Sequence, residues 1–449
     1  MVVKFLVEAF SANSASEAVI WKDVSYSYSW LLERIVYWRS EIRARGLKPG
    51  TVVVMEADFS PNAIALFLAL TESSAILVPL TSSVRAKREE FIGIAQGELA
   101  VTLDASDKAA FTELPGKPSS PLYEILRERK SPGLVLFSSG STGKSKAAVH
   151  DLAGILEKFK VPRPRQRAIS FLLFDHIGGI NTMLHILSNG GCLVAVESRK
   201  PDDVLRAVEK HSVELLPTSP TFINLLLLSE AYSRHSLRSL KVISYGTEPM
   251  PESTLRRFHE LFPDIKLAQT YGLSEVGILR AKSKSSESLY VKIGGEGFET
   301  RVVDGILHIK AKSAMLGYIN APSPFTPDGW MNTGDSVQVD GEYLRILGRK
   351  SELINVGGEK VYPAEVESVI QGLDNVADTV VYAEKNAITG NIICAKVKLL
   401  SEEDPRVFAT RLKKHCLSQL QHFKVPVKIT VVKEDLFTER VKKDRGSTR

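Results

Sequence analysis

The 449-residue chain has three cysteines, Cys192, Cys394 and Cys416, spread far apart. Their spacing offers no metal-ligand set, and so low a number fits a reducing compartment. Long apolar runs are also scarce. The longest, such as 63–70 and 225–228, fall well short of the roughly 20 residues needed to cross a bilayer. Lys4 and Glu8 break up the first apolar stretch, which leaves no signal-peptide core. An excess of one charge is lacking as well, since 58 Lys and Arg stand against 52 Asp and Glu, a net +6. Apart from short clusters near the end of the chain the basic residues are scattered, and no base-stacking aromatic motif repeats. That balance suits anionic small molecules and gives no reason to expect nucleic acid. A cytoplasmic protein without an integral membrane segment is expected.

What is present is a globular composition, 44% hydrophobic and 24% charged, in a chain long enough for more than one domain. The first part alternates helix and strand. Residues 30–45 have apolar positions at helical spacing and stop at Gly46-Leu47-Lys48-Pro49-Gly50. Strands are expected at 51–55 and 74–80, with a helix at 62–71 between them. The rhythm recurs as strand 192–196, helix 201–210, strand 213–217, helix 222–229 and strand 241–245. It predicts a largely parallel sheet covered by helices. After about residue 290, short β-like runs separated by Gly, Asp and Asn take over, at 299–303, 306–310, 336–339 and 343–347. Gly348-Arg349-Lys350-Ser351 reads as a junction. Beyond it, helices at 363–371 and 404–421 and strands at 379–383 and 392–399 make an α+β unit of independent size. The expected fold class is α/β. A large N-terminal domain of layered sheets with a small β-rich subdomain, 1–350, precedes a small α+β domain, 351–449.

Four segments carry chemistry. Residues 137–150 read Phe-Ser-Ser-Gly-Ser-Thr-Gly-Lys-Ser-Lys-Ala-Ala-Val-His after a short apolar run. Glycines let backbone N–H groups approach an anion, and hydroxyl and ammonium groups add donors, which together make a polyphosphate cradle. The pattern misses the Walker P-loop because Ser138 stands where its first glycine belongs. The second segment, Gln269-Thr270-Tyr271-Gly272-Leu273-Ser274-Glu275, follows an expected strand at 265–268. Open α/β sheets bind ligands at such carboxyl ends. There a tyrosine can stack on a base, a serine can donate to a phosphate, and a glutamate can hold Mg2+. The third is Asp328-Gly329-Trp330-Met331-Asn332-Thr333-Gly334-Asp335. The fourth runs from Gly348-Arg349 through Gly357-Gly358 to Pro363-Ala364-Glu365-Val366-Glu367. A carboxylate such as Asp335 can accept both hydroxyls of a ribose, and Arg349 offers a fixed fork of donors. Read one at a time, Tyr271 is a buried loop residue, Asp335 a turn residue and Arg349 a surface charge.

In order and spacing the four segments resemble the adenylate-forming superfamily of acyl- and aryl-CoA synthetases, nonribosomal peptide adenylation domains and beetle luciferases. The resemblance runs from about Tyr26 to Arg445 and is closest to the acyl/aryl-CoA ligase branch. It implies an AMP-forming acid–thiol ligase. Such an enzyme uses ATP and Mg2+ to convert a fatty or aryl acid into acyl-AMP and pyrophosphate, then passes the acyl group to CoA or a carrier-protein phosphopantetheine. By this resemblance Ser139, Gly140, Ser141, Thr142, Gly143 and Lys146 hold the β- and γ-phosphates. Gly246, Thr247, Glu248 and Pro249 form the adenine-contacting turn. Tyr271 and Gly272 meet adenine, Ser274 contacts the α-phosphate, Glu275 binds Mg2+, and Asp335 holds the ribose with help from Arg349. The family's catalytic lysine falls on Lys442, with Lys443 as the competing register and Arg445 at the right offset. The small domain rotates in the family, and its hinge falls on Ser351. Gly357 and Gly358 allow the close backbone approach that a pantetheine tunnel needs. Ser145, Ala147 and Val441 replace the family's proline, glycine and glycine. Losing the proline removes a φ restraint from the loop.

Phe174-Asp175-His176-Ile177-Gly178-Gly179 resembles the segment that lines the family's acyl pocket. His176 falls near the carboxylate and phosphates, and Phe174, Asp175, Gly178 and Gly179 belong to the pocket. Lys442, His176, Ser274 and Glu275 make up the implied catalytic set. Amino-acid-activating members carry a Phe-Asp pair here whose aspartate grips the substrate ammonium, whereas His-Ile-Gly-Gly is closer to the acyl branch. A carboxylic acid without an α-amine is therefore expected. The alternatives are an amino-acid-activating stand-alone enzyme, a P-loop NTPase or kinase, which would release ADP, and a non-catalytic adenylate-binding homologue. Substitutions at 145, 147, 351 and 441 favour the last, and intact Glu275, Asp335, Arg349 and Lys442 oppose it. The implied partners are the carboxylate and either CoA or an acyl carrier protein, and a homodimer is compatible with the chain.

Overall fold

The computed structural model describes residues 2–139, 145–387, 389–438 and 441–443. Helix starts follow local capping chemistry. Ser27, Ser60 and Ser219 each accept a backbone N–H three residues on, at 3.2 Å, and open the helices Tyr28–Ala44, Pro61–Glu72 and Pro220–Ser229. Pro61 and Pro220 take the first helical position, where a missing N–H is tolerated. Asp404 caps Pro405–Gln419 in the same way.

Two seven-stranded sheets enclose a layer of helices. The first runs, in spatial order, Lys266–Gln269, Val242–Tyr245, Leu215–Thr218, Arg167–Ile169, Cys192–Val194, Glu17–Trp21 and Val24–Ser27. All neighbours are parallel except the final hairpin. The second runs Gly317–Tyr318, Ser145–Asp151, Gly133–Ser139, Ile76–Leu80, Val52–Glu56, Leu99–Leu103 and Ala109–Glu113, parallel only at its centre. Phe10, Leu31, Phe67 and Met183, from four helices, share one core with Val19 and Leu193 of the first sheet and Val53 and Leu134 of the second. The helix Pro61–Glu72 lies in this layer and is buried on every face from Ala63 to Thr71. That burial explains its uniformly apolar sequence. Among the described residues no helix is long and apolar enough to cross a membrane.

An antiparallel six-stranded sheet, Ala281–Ser283 to Tyr343–Arg349, builds the β-rich subdomain around Val291, Leu307 and Val337. The short turn Lys350–Glu352 follows. The rest has its own core, in which Val381, Ile393 and Val397 of a three-stranded sheet pack on helices Pro363–Gln371 and Pro405–Gln419 through Val366, Ile370, Phe408 and Leu412. Polar contacts are among those that join this small domain to the large one. Asn224 Nδ2 donates to Ala377 O at 3.0 Å, and the Glu252 N–H donates to Ser368 Oγ at 3.0 Å.

Candidate active site

The carboxyl ends of the first sheet's parallel strands supply most of the site, as open α/β sheets lead one to expect. Gly246–Pro249 follow one strand and Thr270–Leu273 follow its neighbour. They face Asp335, Ile346, Gly348, Arg349 and Glu352 of the subdomain across an open cleft. Tyr271, Asp335 and Arg349 come together here. The Tyr271 hydroxyl donates to Asp335 Oδ2, and Arg349 Nε lies 3.4 Å from Asp335 Oδ1. Asp335 and Arg349 are opposite one another in adjacent antiparallel strands, so the pairing is set by register. Burial pushes the Tyr271 phenol well up, and the Asp335 charge adds to that. Burial also raises the Asp335 pKa, while the Arg349 guanidinium pulls it down. The result is an aromatic wall fixed to a carboxylate, with a cation at its rim.

The glycine-rich loop and its surroundings are described in part. Gly140, Ser141, Thr142 and Gly143 lie outside the described residues, as does the side chain of Ser139. Lys146 Nζ stands 5.3 Å from the centre of the Tyr318 ring. The Tyr318 hydroxyl donates to Glu275 Oε1. Ser274, at the intermediate level of exposure, precedes it in the turn. Asn320 accepts the Ala147 N–H at 3.0 Å and donates to Ser145 O at 2.8 Å, which braces the strand leaving the cradle. The two positions where the family's proline and glycine are replaced are therefore held by a side-chain amide.

His176 caps the helix Ile177–Ser188, its Nδ1 accepting the Gly178 N–H at 3.1 Å. With Nδ1 so engaged, a neutral ring carries its proton on Nε2. Lys442 Nζ lies 3.3 Å from that Nε2, so ring and ammonium present two donors side by side and do not bond one another. Phe171, Leu172, Leu173 and Arg199 complete a small hollow around the pair. The structure separates the two tail lysines. Lys442 faces this hollow, whereas the Lys443 ammonium is buried in the small domain near Glu367 and Asp378.

Several expected site residues have packing roles. Phe174 is fully buried against Phe59 and Phe67 and lines neither hollow. Gly178 and Gly179 are required by the helix's close approach to Leu172 and Leu173, since a Cβ on Gly179 would sit 2.1 Å from Leu173 O. Asp175 is buried, and its Oδ2 accepts from Thr81 Oγ1 at 3.0 Å. Glu248 lines the cleft beside Tyr271, but its carboxylate accepts from the Thr221 N–H at 2.8 Å and the Lys443 N–H at 3.1 Å. Arg199 was not picked out from the sequence. It is held by Asp58 at 2.8 Å and Phe171 O at 2.7 Å. Its place just beyond the strand Cys192–Val194, at the ligand edge of the sheet, was the available signal.

A family model described as AMP-binding enzyme matches residues 7–318, and one described as AMP-binding enzyme C-terminal domain matches 365–443. The chain belongs to the AMP-binding enzymes and is an acyl/aryl-CoA-ligase-like adenylate-forming enzyme. Within that class it is 25% identical over 431 residues to an indoleacetate–CoA ligase of Aromatoleum aromaticum, covering 84% of this chain and 83% of that protein. It is 27% identical over 322 residues to a 4-coumarate–CoA ligase-like protein of Arabidopsis thaliana, covering 65% of this chain but only 57% of that relative's length. Among solved structures, anthranilate CoA ligase AuaEII in complex with anthranoyl-AMP superposes with a TM-score of 0.85 at 18% identity, over 100% of this chain and 96% of that one. The o-succinylbenzoate CoA synthetase of Bacillus subtilis superposes with a TM-score of 0.77 at 19% identity, over 99% and 97%. These likenesses establish the fold.

Proposed function

We propose that this protein is an ATP-dependent acid–thiol ligase that converts a fatty or aryl carboxylic acid into its acyl-adenylate and then into a thioester. The observation that carries the proposal is the placement of Lys442 Nζ 3.3 Å from His176 Nε2, beyond a cleft in which Tyr271, Asp335 and Arg349 are already assembled. A carboxylate is a poor electrophile. When one of its oxygens attacks the α-phosphorus of ATP, a C–O–P linkage forms, the bond to pyrophosphate breaks, and the acyl carbon gains a good leaving group. The protein's task is to bring two anions together and to neutralise charge as it shifts.

The residues divide that task. Tyr271 presents its ring to adenine and Asp335 presents its carboxylate to the ribose diol. Ser274 and Lys146 serve the phosphates. His176 offers its Nε2–H, and Lys442 its ammonium, to the carboxylate and α-phosphate oxygens. Glu275 fits a Mg2+ ligand: one oxygen is held by Tyr318, and the other has no partner among the described residues. Bound there with phosphate oxygens, the ion would neutralise the departing pyrophosphate. Burial of Asp175 under Thr81 supports an acid without an α-amine. One relative is named for indoleacetate and another for its likeness to 4-coumarate ligases, and both names carry CoA, which favours an aryl acid and CoA as acceptor over a carrier protein.

The test is ATP–pyrophosphate exchange across a panel of aryl, fatty, hydroxy and amino acids, followed by product analysis with CoA. Exchange with an aryl or fatty acid, AMP as the nucleotide product and a CoA thioester are expected. Lys442→Ala should lower exchange roughly 100- to 1,000-fold, the usual loss for one preorganised donor, and retain thiolysis of supplied acyl-AMP. ADP as product, or normal exchange by Lys442→Ala, would overturn the proposal.

A further inference from the structure

The turn that carries Lys442 is gripped from both domains, and one residue takes part in both grips. The Thr438 N–H donates to Lys442 O at 2.8 Å, the Val441 N–H donates to Thr438 O at 2.8 Å, and Phe437 bridges Lys443. On the large-domain side, the Val441 carbonyl accepts from Ser219 Oγ at 2.5 Å and its side chain joins the cluster of Phe222 and Tyr245. Val441 has φ +51°. A β-branched residue in the left-handed region costs about 1–3 kcal/mol and persists only where its surroundings hold it. The Lys443 N–H donates to Glu248 Oε2 at 3.1 Å. On the small-domain side, the Lys443 ammonium donates to Thr379 O at 2.8 Å and lies 3.5 Å from Glu367 and 3.6 Å from Asp378. All three side chains of that ion cluster are less than a tenth exposed.

We propose that Lys443 is a positioning residue, a clasp between the nucleotide turn at Glu248 and the small domain that brings Lys442 to His176. Its backbone is bound to one domain and its side chain to the other, so Lys442 is delivered only when both are docked. Glu248 also lines the adenosine cleft. ATP seated against that turn steadies the receiving carboxylate and raises the docked fraction. The inference rests on the ligase reading above for its kinetic consequences, but the docking itself can be read without turnover.

Lys443→Met removes the ammonium and keeps most of the stem. Because it takes the Lys443 cation from buried Glu367 and Asp378, the triple variant Lys443→Met/Glu367→Gln/Asp378→Asn serves as the folding control. Pyrophosphate exchange is measured together with amide hydrogen exchange at Val441 and Lys443, with and without ATP. Both variants should lose about ten- to a hundredfold in the kcat of pyrophosphate exchange, the scale of a small misplacement of a reacting group. KM for ATP and acid should hold, thiolysis of supplied acyl-adenylate should be retained, and Lys443→Arg should rescue. ATP should protect the Val441 and Lys443 amides in the wild type and fail to do so in either variant. Unchanged pyrophosphate exchange, or an equal fall in both half-reactions that the triple variant cures, would mark a plain structural ion pair and overturn the proposal. A wild type that exchanges pyrophosphate with no acid, yet shows the amide pattern, would refute the ligase reading and leave the clasp standing.

Discussion

Replacing His150 with leucine should flatten the acid side of this protein's stability profile. His150 lies in the strand Ser145–Asp151, opposite Leu134, and is fully buried. Among the described residues neither ring nitrogen makes a hydrogen bond of full geometry, and the Ser274 backbone is the polar group that comes near the ring. Burial pushes its pKa down to about 4 from the ordinary 6.5, with the Ser274 backbone only partly opposing. The unfolded chain therefore takes up this proton near pH 6.5, while the folded chain resists until near pH 4. Over that interval the unfolded state binds more protons, so this contribution to stability is whole above about pH 6.5 and declines as pH falls. Between roughly pH 7.5 and roughly pH 5 the loss amounts to about 2 kcal/mol, about 1.5 pH units of excess binding at 1.36 kcal/mol each.

Leucine occupies a similar volume and does not titrate. Urea unfolding of both proteins at both pH values, followed by tryptophan fluorescence, gives a difference of differences in which the other titrating groups cancel. Trp21, Trp30, Trp38 and Trp330 are the four tryptophans, so the signal reports on the large domain. The leucine variant should lose about 2 kcal/mol less on acidification than the wild type. Equal losses in the two proteins would refute the reasoning.

Asp335→Ala should raise KM for ATP about tenfold or more, since a hydrogen bond to a charged group contributes about 1.5–3 kcal/mol, and should leave KM for the acid unchanged in the exchange assay. Gly179→Ala forces a Cβ to within 2.1 Å of the Leu173 carbonyl oxygen. Unfolding in urea should show a destabilisation of at least about 1–3 kcal/mol, the range for overpacked interiors.

Much of the chain was legible before folding because its signals are local. The helix expected at 363–371 is found as Pro363–Gln371, and the strand expected at 213–217 is found as Leu215–Thr218. Prolines and capping serines punctuate such elements within a few residues. The helix Lys4–Ala12 was not expected, because its apolar residues were weighed only as a failed leader sequence. The edge hairpin Leu99–Leu103 with Ala109–Glu113 also went unread, since its second strand is largely exposed and has no run of β-branched residues. Tyr271, Asp335 and Arg349 could be named from sequence because each sits inside a compact motif. The residues that brace them could not. Tyr318 reaches Glu275 across 43 positions, and Glu248 reaches Lys443 across 195. Only the folded topology closes such gaps.

The strand order of the first sheet sets the residues of the candidate site at fixed intervals. Along its edge come, in turn, the Tyr271 segment, the Gly246–Glu248 segment, Ser219 with Thr221, the Phe171–His176 segment, and Arg199. Five adjacent strands span four gaps, about 19 Å at about 4.8 Å per gap. On the proposed reading, adenine falls at one end of that scale and the acid towards the other. The terminal turn lands on the middle graduation, at Ser219, so a single insertion carries Lys442 to the His176 segment on the next strand along.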